Sequence, residues 1–249
     1  SQLTKKNIVY NFRQNDINKG GEGAPLTPIF HKLISEQYKL NLPLCFLNIG
    51  GIANITFIEK KNLDDFISRD IGPGNCMIDE WVRSNSKFNY DNDGQLGLAG
   101  TTNKIILEQV EEFFLKDMEK KYSLDTKDFD ISFARGLSLE DGSSTLTDFT
   151  AQILVSQLST FVTKDKNKNY TILLCGGGRK NKNLIKKIQE MIPKNTKIEL
   201  IDKYNINGDF VESQAFGYLA IRSFLKFPIS FPNTTGCSEP TTGGIFIEY

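Results

Sequence analysis

Apolar residues fall in short blocks along this chain, and several blocks stop at glycine. Leu44–Ile49, Ile52–Ile58 and residues 63–69 read as three successive strands. Gly50-Gly51 and Lys60-Lys61-Asn62 separate them, so the spacing predicts an antiparallel meander. Residues 28–40 have helical spacing, with Ile29, Leu33 and Ile34 on one side. A helix is expected over 75–84, opening on a glycine turn. Residues 104–121 predict an amphipathic helix with Ile105, Ile106, Val110, Phe113 and Phe114 facing inward. Residues 144–163 predict another, capped near Thr145 and Thr147. A strand over 171–174, a helix over 181–191, a strand over 197–201 and a helix over 209–224 follow. Residues 1–25 are polar and glycine-rich, and the tail from Pro228 reads as irregular. Strands that meander and then alternate with helices predict an α/β sandwich with a mixed sheet flanked by helices.

Composition narrows the partners. The 249 residues are 39% hydrophobic and 24% charged, which fits a globular chain with a sizeable core. Thirty basic and thirty acidic residues cancel, so no basic face for nucleic acid or an anionic membrane is indicated. No apolar run is long enough to span a membrane, and no signal peptide is visible. Cys45, Cys76, Cys175 and Cys237 have no metal-type spacing and read as reduced thiols of a cytoplasmic protein.

Candidate chemistry lies in three glycine turns, each following a strand-like run: Gly50-Gly51, the segment Asp70-Ile71-Gly72-Pro73-Gly74-Asn75, and Gly176-Gly177-Gly178. Without a Cβ, backbone amides can approach an anion closely. Gly50-Gly51, flanked by Asn48 and Asn54, is either a phosphate cradle or a plain hairpin turn. Gly176, Gly177 and Gly178, with Asn181, either meet a nucleotide or pack a strand against a helix. Asp70 either holds Mg²⁺ through water or caps the following helix. Glu212 either accepts hydrogen bonds from a sugar as a buried carboxylate or complements a helix dipole. Arg13 and Asp16 pair or line a cleft, and with Asn11 they are the candidate catalytic residues. His31, the one histidine, and Trp81 read as core residues.

The chain resembles the anhydro-N-acetylmuramic acid kinase family over nearly its whole length. The resemblance rests on Asn11-Phe12-Arg13, Asp16, Gly20 to Leu26, the first two glycine turns, Tyr90-Asp91 with Asp93-Gly94, Asp141-Gly142 with Thr145-Leu146-Thr147, Cys175 to Gly178 with Asn181, and Glu212 to Phe216. It implies a ribonuclease-H-like lobe of the actin/hexokinase/Hsp70-type kinase fold. It also implies ATP and Mg²⁺ as cofactors, a small anhydrosugar as substrate, Glu212 near the sugar, and a possible homodimer. The implied reaction converts 1,6-anhydro-N-acetylmuramate, ATP and water to N-acetylmuramate 6-phosphate and ADP in cell-wall sugar recycling.

Two departures from the family pattern bear on activity. The family's general base is an Asp at the position of Asn11, and a carboxamide is no base near neutral pH. The chain also starts where the family's second half begins, so residues 1–249 are expected to be one lobe with little activity alone. The alternatives are a non-catalytic nucleotide- or sugar-binding lobe, and a kinase of another anhydrosugar such as levoglucosan.

Overall fold

The computed structural model describes residues 2–3, 5–60, 66–110, 124–165 and 167–249. At its centre is a five-stranded sheet built from β2 (Leu44–Ile49), β3 (Ile52–Ile58), β4 (Phe66–Pro73), β5 (Tyr170–Cys175) and β6 (Thr196–Leu200). The spatial order is β4-β3-β2-β5-β6. The first three strands form the predicted meander, with β3 antiparallel to both β2 and β4. β5 lies parallel to β2, and β6 parallel to β5.

Besides two short helices, α1 (Gln14–Asn18) and α4 (Gln95–Ala99), longer helices cover the sheet, and strand alternation assigns its two faces. Cys45, Leu47 and Ile49 point to one side, where α6 (Leu139–Val162) and α7 (Lys182–Met191) cover them with Leu154, Leu158, Leu184 and Ile188. Leu44 and Phe46 point to the other, under α2 (Pro28–Gln37) and α8 (Val211–Phe224), which contribute Ile29, Ile34, Ala215 and Leu219. A third cluster joins α3 (Cys76–Asn85) to α6 through Met77, Ile78, Trp81, Leu146 and Phe149. Trp81 is core, as expected, and its Nε1 donates to the Leu139 carbonyl at 3.1 Å.

Four expectations need correction. Helix α6 begins at Leu139, capped by the Ser138 hydroxyl, which accepts from Asp141 N at 3.0 Å. Thr145 and Thr147 are interior and donate to the carbonyls of Asp141 and Ser143, one turn back. The helix at 104–110, α5, buries Leu107 and leaves Ile105 69% exposed; Phe113 and Phe114 lie outside the described residues. Strand β4 runs on through Pro73 because a bulge near Ile71 restores its pairing, with Ala53 opposite Gly72. As an edge strand it tolerates the proline. The tail is not wholly irregular. It forms α9 (Pro232–Thr235), and β7 (Ile245–Ile247) pairs antiparallel with β1 (Ile8–Tyr10).

Candidate functional site

All three glycine turns lie at one end of the sheet and touch one another. Gly50-Gly51 joins β2 to β3, with Gly50 N donating to Ile52 O at 3.3 Å. Its carbonyls receive the chain that leaves β4: Asn75 N donates to Gly50 O at 2.7 Å, and Gly74 N and Cys76 N donate to Gly51 O at 2.9 and 3.1 Å. The turn therefore satisfies leading amides of α3, and Asn75 makes no side-chain cap. Only glycine fits at 74, because a Cβ there would overlap the Gly50 carbonyl oxygen.

The third turn closes against the same strand end. Cys175 pairs with Asn48, and the next residue, Gly176, has φ 78° and ψ 171°, a region open almost solely to glycine. A Cβ on Gly176 would meet Asn48 Oδ1 and the Ile49 carbonyl, and one on Gly178 would meet the Ile49 side chain. Gly51 and Gly177 are the exposed members of the two turns, and Gly177 has open space where a Cβ would stand.

A polar row crosses the strands beneath the turns. Asn48 is opposite Asn54, and Asn54 is opposite Asp70. Asn54 Oδ1 is buried without a hydrogen-bond partner. Asp70 Oδ2 accepts from Leu124 N at 2.9 Å, so the carboxylate ties down the chain entering residues 124–128 and does not cap α3. Among the described residues no cluster of three or more metal-ligating side chains occurs.

Nearby carboxylates carry unequal protonation tendencies. Burial pushes Asp79, in the first turn of α3, up to about 6, against the opposing pull of Arg83. Asp91 is also raised by burial, although it accepts from Leu96 N and Gly97 N at 2.8 and 3.0 Å. Burial lifts the Cys175 thiol to about 12, so it serves as core.

Of the other sequence candidates, Asn181 adjoins the third turn, its N–H donating to Gly178 O at 3.0 Å. Asn11 is exposed, left-handed (φ 57°), and lines a cavity of about 290 Å³ with Gln14, Asn15, Asn18 and Lys226. Arg13 is exposed. Asp16 is buried at 1% exposure and does not pair with Arg13; its Oδ2 accepts from Gly23 N at 2.7 Å and its Oδ1 from Thr235 Oγ1 at 2.6 Å. Asn181 is the N-cap of α7, its Oδ1 accepting from Leu184 N at 3.0 Å. Glu212 is in the first turn of α8 and exposed, which corrects the expectation of a buried carboxylate. His31 is buried, bonded to Thr56 Oγ1 through Nδ1 at 2.8 Å and stacked on Phe46 at 4.6 Å.

Sequence reasoning missed Arg179. It follows the third turn, is buried, and folds back to bind Gly176 O, Asp202 and Asp209. The signal was faint: one cation directly after three glycines, whose partners follow more than twenty residues later.

Three antiparallel strands continued by two parallel ones, with helices on both faces, define a mixed α/β fold of ribonuclease-H-like strand order, and the glycine turns converge at one end of its sheet. A family model described as anhydro-N-acetylmuramic acid kinase matches residues 1–248. The chain belongs to that family. It is similar to the anhydro-N-acetylmuramic acid kinase of Pelagibacter ubique, with 52% identity over 249 residues, covering 100% of this chain and 66% of the relative. It is also similar to the Zymomonas mobilis protein of the same name, at 40% identity, covering 98% and 64%. The chain thus spans about two thirds of the length of these relatives. A solved structure, the activator of the 2-hydroxyisocaproyl-CoA dehydratase from Clostridium difficile with bound ADPNP, is a distant likeness. It is 13% identical with a TM-score of 0.43, over 71% of this chain and 59% of that one.

Proposed function

We propose that residues 1–249 form one lobe of a two-lobed kinase acting on 1,6-anhydro-N-acetylmuramate. Water opens the anhydro ring at C1, the freed C6 oxygen takes the γ-phosphoryl group of ATP, and N-acetylmuramate 6-phosphate and ADP leave. The observation that carries this reading is the meeting of three glycine turns at one sheet end, with Gly51 and Gly177 open. Phosphoryl transfer asks chiefly for positioning and charge stabilisation, and fixed backbone amides supply both. Gly50 and Gly51, with Asn48 and Asn54, cradle phosphates; Gly176 to Gly178 meet the rest of the nucleotide. Asn181 acts indirectly, by starting α7 squarely behind the turn.

Mg²⁺ commonly reaches such sites on the nucleotide phosphates and needs few protein carboxylates. Asp70, whose Oδ2 accepts from Leu124 N, would act on it only in an outer role through water. The ion would neutralise phosphate charge.

Asn11 stands at the base position. Asp16 does not replace it, because both its oxygens are engaged in the fold. Glu212 is free at the surface to accept sugar hydroxyls. The reading includes the recycling of cell-wall sugar in the cytoplasm, a possible homodimer, and low turnover by these 249 residues alone. Asn11 also favours a second reading, a lobe that binds nucleotide or sugar without turnover.

The test is ADP release by the full-length protein with 1,6-anhydro-N-acetylmuramate, with product mass measured. Sugar-dependent ADP release and a product heavier by one phosphoryl group and one water support the kinase. ATP binding without release supports the second reading. Absence of ATP binding ends the kinase reading, and absence of sugar binding as well ends both.

A further inference from the structure

Arg179 is a buried cation surrounded by groups from three segments. Nε and Nη2 form a two-pronged pair with Asp202 Oδ2 and Oδ1 at 2.8 and 3.0 Å. Nη1 donates to Asp209 Oδ1 at 2.7 Å and to the Gly176 carbonyl at 2.9 Å. The side chain is 5% exposed, whereas both carboxylates are 41% exposed. Gly208 faces the guanidinium so closely that a Cβ there would overlap Nε. Gly208 O accepts from Gly176 N at 3.4 Å, and Gly208 N donates to Asp202 Oδ1 at 3.4 Å.

These contacts bind both polar groups of Gly176 to one cluster. Its carbonyl is held by the guanidinium, and its amide by Gly208. Asp202 follows edge strand β6, and Asp209 stands just ahead of α8, so the cluster also locks the connection between them. Gly176 otherwise has wide backbone freedom, and the next residue, Gly177, is exposed with open space where a Cβ would stand. The open part of the turn is therefore held from behind by the Arg179 side chain, together with the Gly208 carbonyl and the Arg179 N–H, which donates to Gly176 O at 3.4 Å. An arginine suits this task because its planar fork satisfies several acceptors in fixed directions, which a lysine cannot do.

We infer that Arg179 is a positioning residue for nucleotide binding, acting through Gly176 O and the Asp202 and Asp209 carboxylates to preset the Gly176–Gly178 turn. It touches no reacting atom. The inference rests on the nucleotide reading of that turn. Because the cluster also precedes α8, it couples the turn to the helix that carries Glu212. Its main effect is nevertheless on the nucleotide, since its direct bond is to Gly176.

The experiment measures ATP affinity by calorimetry and steady-state constants in the full-length protein, for the parent, Arg179→Met, Arg179→Lys and Asp209→Asn. Arg179→Met is expected to weaken ATP at least tenfold while changing the sugar KM less than twofold. Arg179→Lys is expected to recover part of the loss, and Asp209→Asn to weaken ATP about threefold. A parent that binds no ATP overturns the underlying reading. A parent that binds ATP, with folded variants that bind equally well, overturns only the role of Arg179. Equal losses for ATP and sugar, tracking a lowered melting temperature, also overturn it. If Arg179→Met does not fold, the milder Asp209→Asn decides: unchanged ATP affinity there refutes the inference.

Discussion

Gly74 lies against the carbonyl of Gly50 so closely that a Cβ on it would overlap that oxygen. The obstacle is backbone, so it cannot rotate aside. Gly74→Ala is expected to push the Gly50-Gly51 turn out of place and to cost about 2 kcal/mol, in the range of strained backbone substitutions. Urea unfolding and ATP titration check this together. Unchanged stability with unchanged ATP affinity would show that the turn does not depend on the close approach.

Asn11 has a left-handed backbone, a conformation that Asp shares with Asn at little steric cost. Asn11→Asp should therefore keep the local fold while supplying a base. A positioned general base contributes roughly 100- to 10,000-fold, so the full-length variant should release ADP faster by at least about 100-fold, with ATP affinity unchanged. Equal rates for both proteins would mean that position 11 is not where the proton goes.

Asp16 provides a contrasting test. Asp16→Ala leaves the buried Gly23 N–H and Thr235 hydroxyl without their acceptor, at a cost of about 2 kcal/mol or more. Asp16→Asn keeps one acceptor oxygen and should cost less. Activity per folded molecule should stay within about twofold in both. A loss above 100-fold with intact stability would instead make Asp16 the base.

Buried His31 and half-buried Asp79 should respond to acid in opposite directions. Burial lowers His31 to about 3, so the unfolded chain takes up a proton near 6.5 that the native state refuses. The His31 contribution is present above that pH and is lost as pH falls towards 3, by up to about 1.4 kcal/mol per unit. Burial raises Asp79 to about 6. The native state then protonates first, and acidification through that range stabilises it. Melts of the parent against His31→Gln and Asp79→Asn between pH 7.5 and 5 separate the two. The parent should lose ground to His31→Gln and gain on Asp79→Asn; flat differences would contradict both assignments.

The strands β2 and β3 were legible because each is a short, nearly continuous apolar run and a glycine pair separates them. The start of α6 was not. Gly142, Ser143 and Ser144 look like helix breakers, yet Gly142 is needed against the Trp81 ring and the hydroxyls of Ser143, Thr145 and Thr147 bond back along the helix. The α5 face was misjudged by phase, Ile105 being exposed where Leu107 is buried. The glycine turns were visible singly, but their meeting depends on β2 lying between β3 and β5, a parallel pairing between distant segments. The role of Arg179 was hidden for a similar reason. Its partners are defined only when β6 and the segment leading to α8 have come together beside β5.

The ribbon of β1 and β7 joins residues from opposite ends of the sequence; Tyr249 N donates to Asn7 Oδ1 across 242 positions at 3.0 Å. Closing so long a loop is slow and rewarded late. Both strands are also largely open to solvent, with every residue of β7 exposed. The ribbon should therefore zip up after the central sheet and fray before it, so that amides of Val9 and Phe246 exchange with deuterium orders of magnitude faster than those of Phe46 and Leu173.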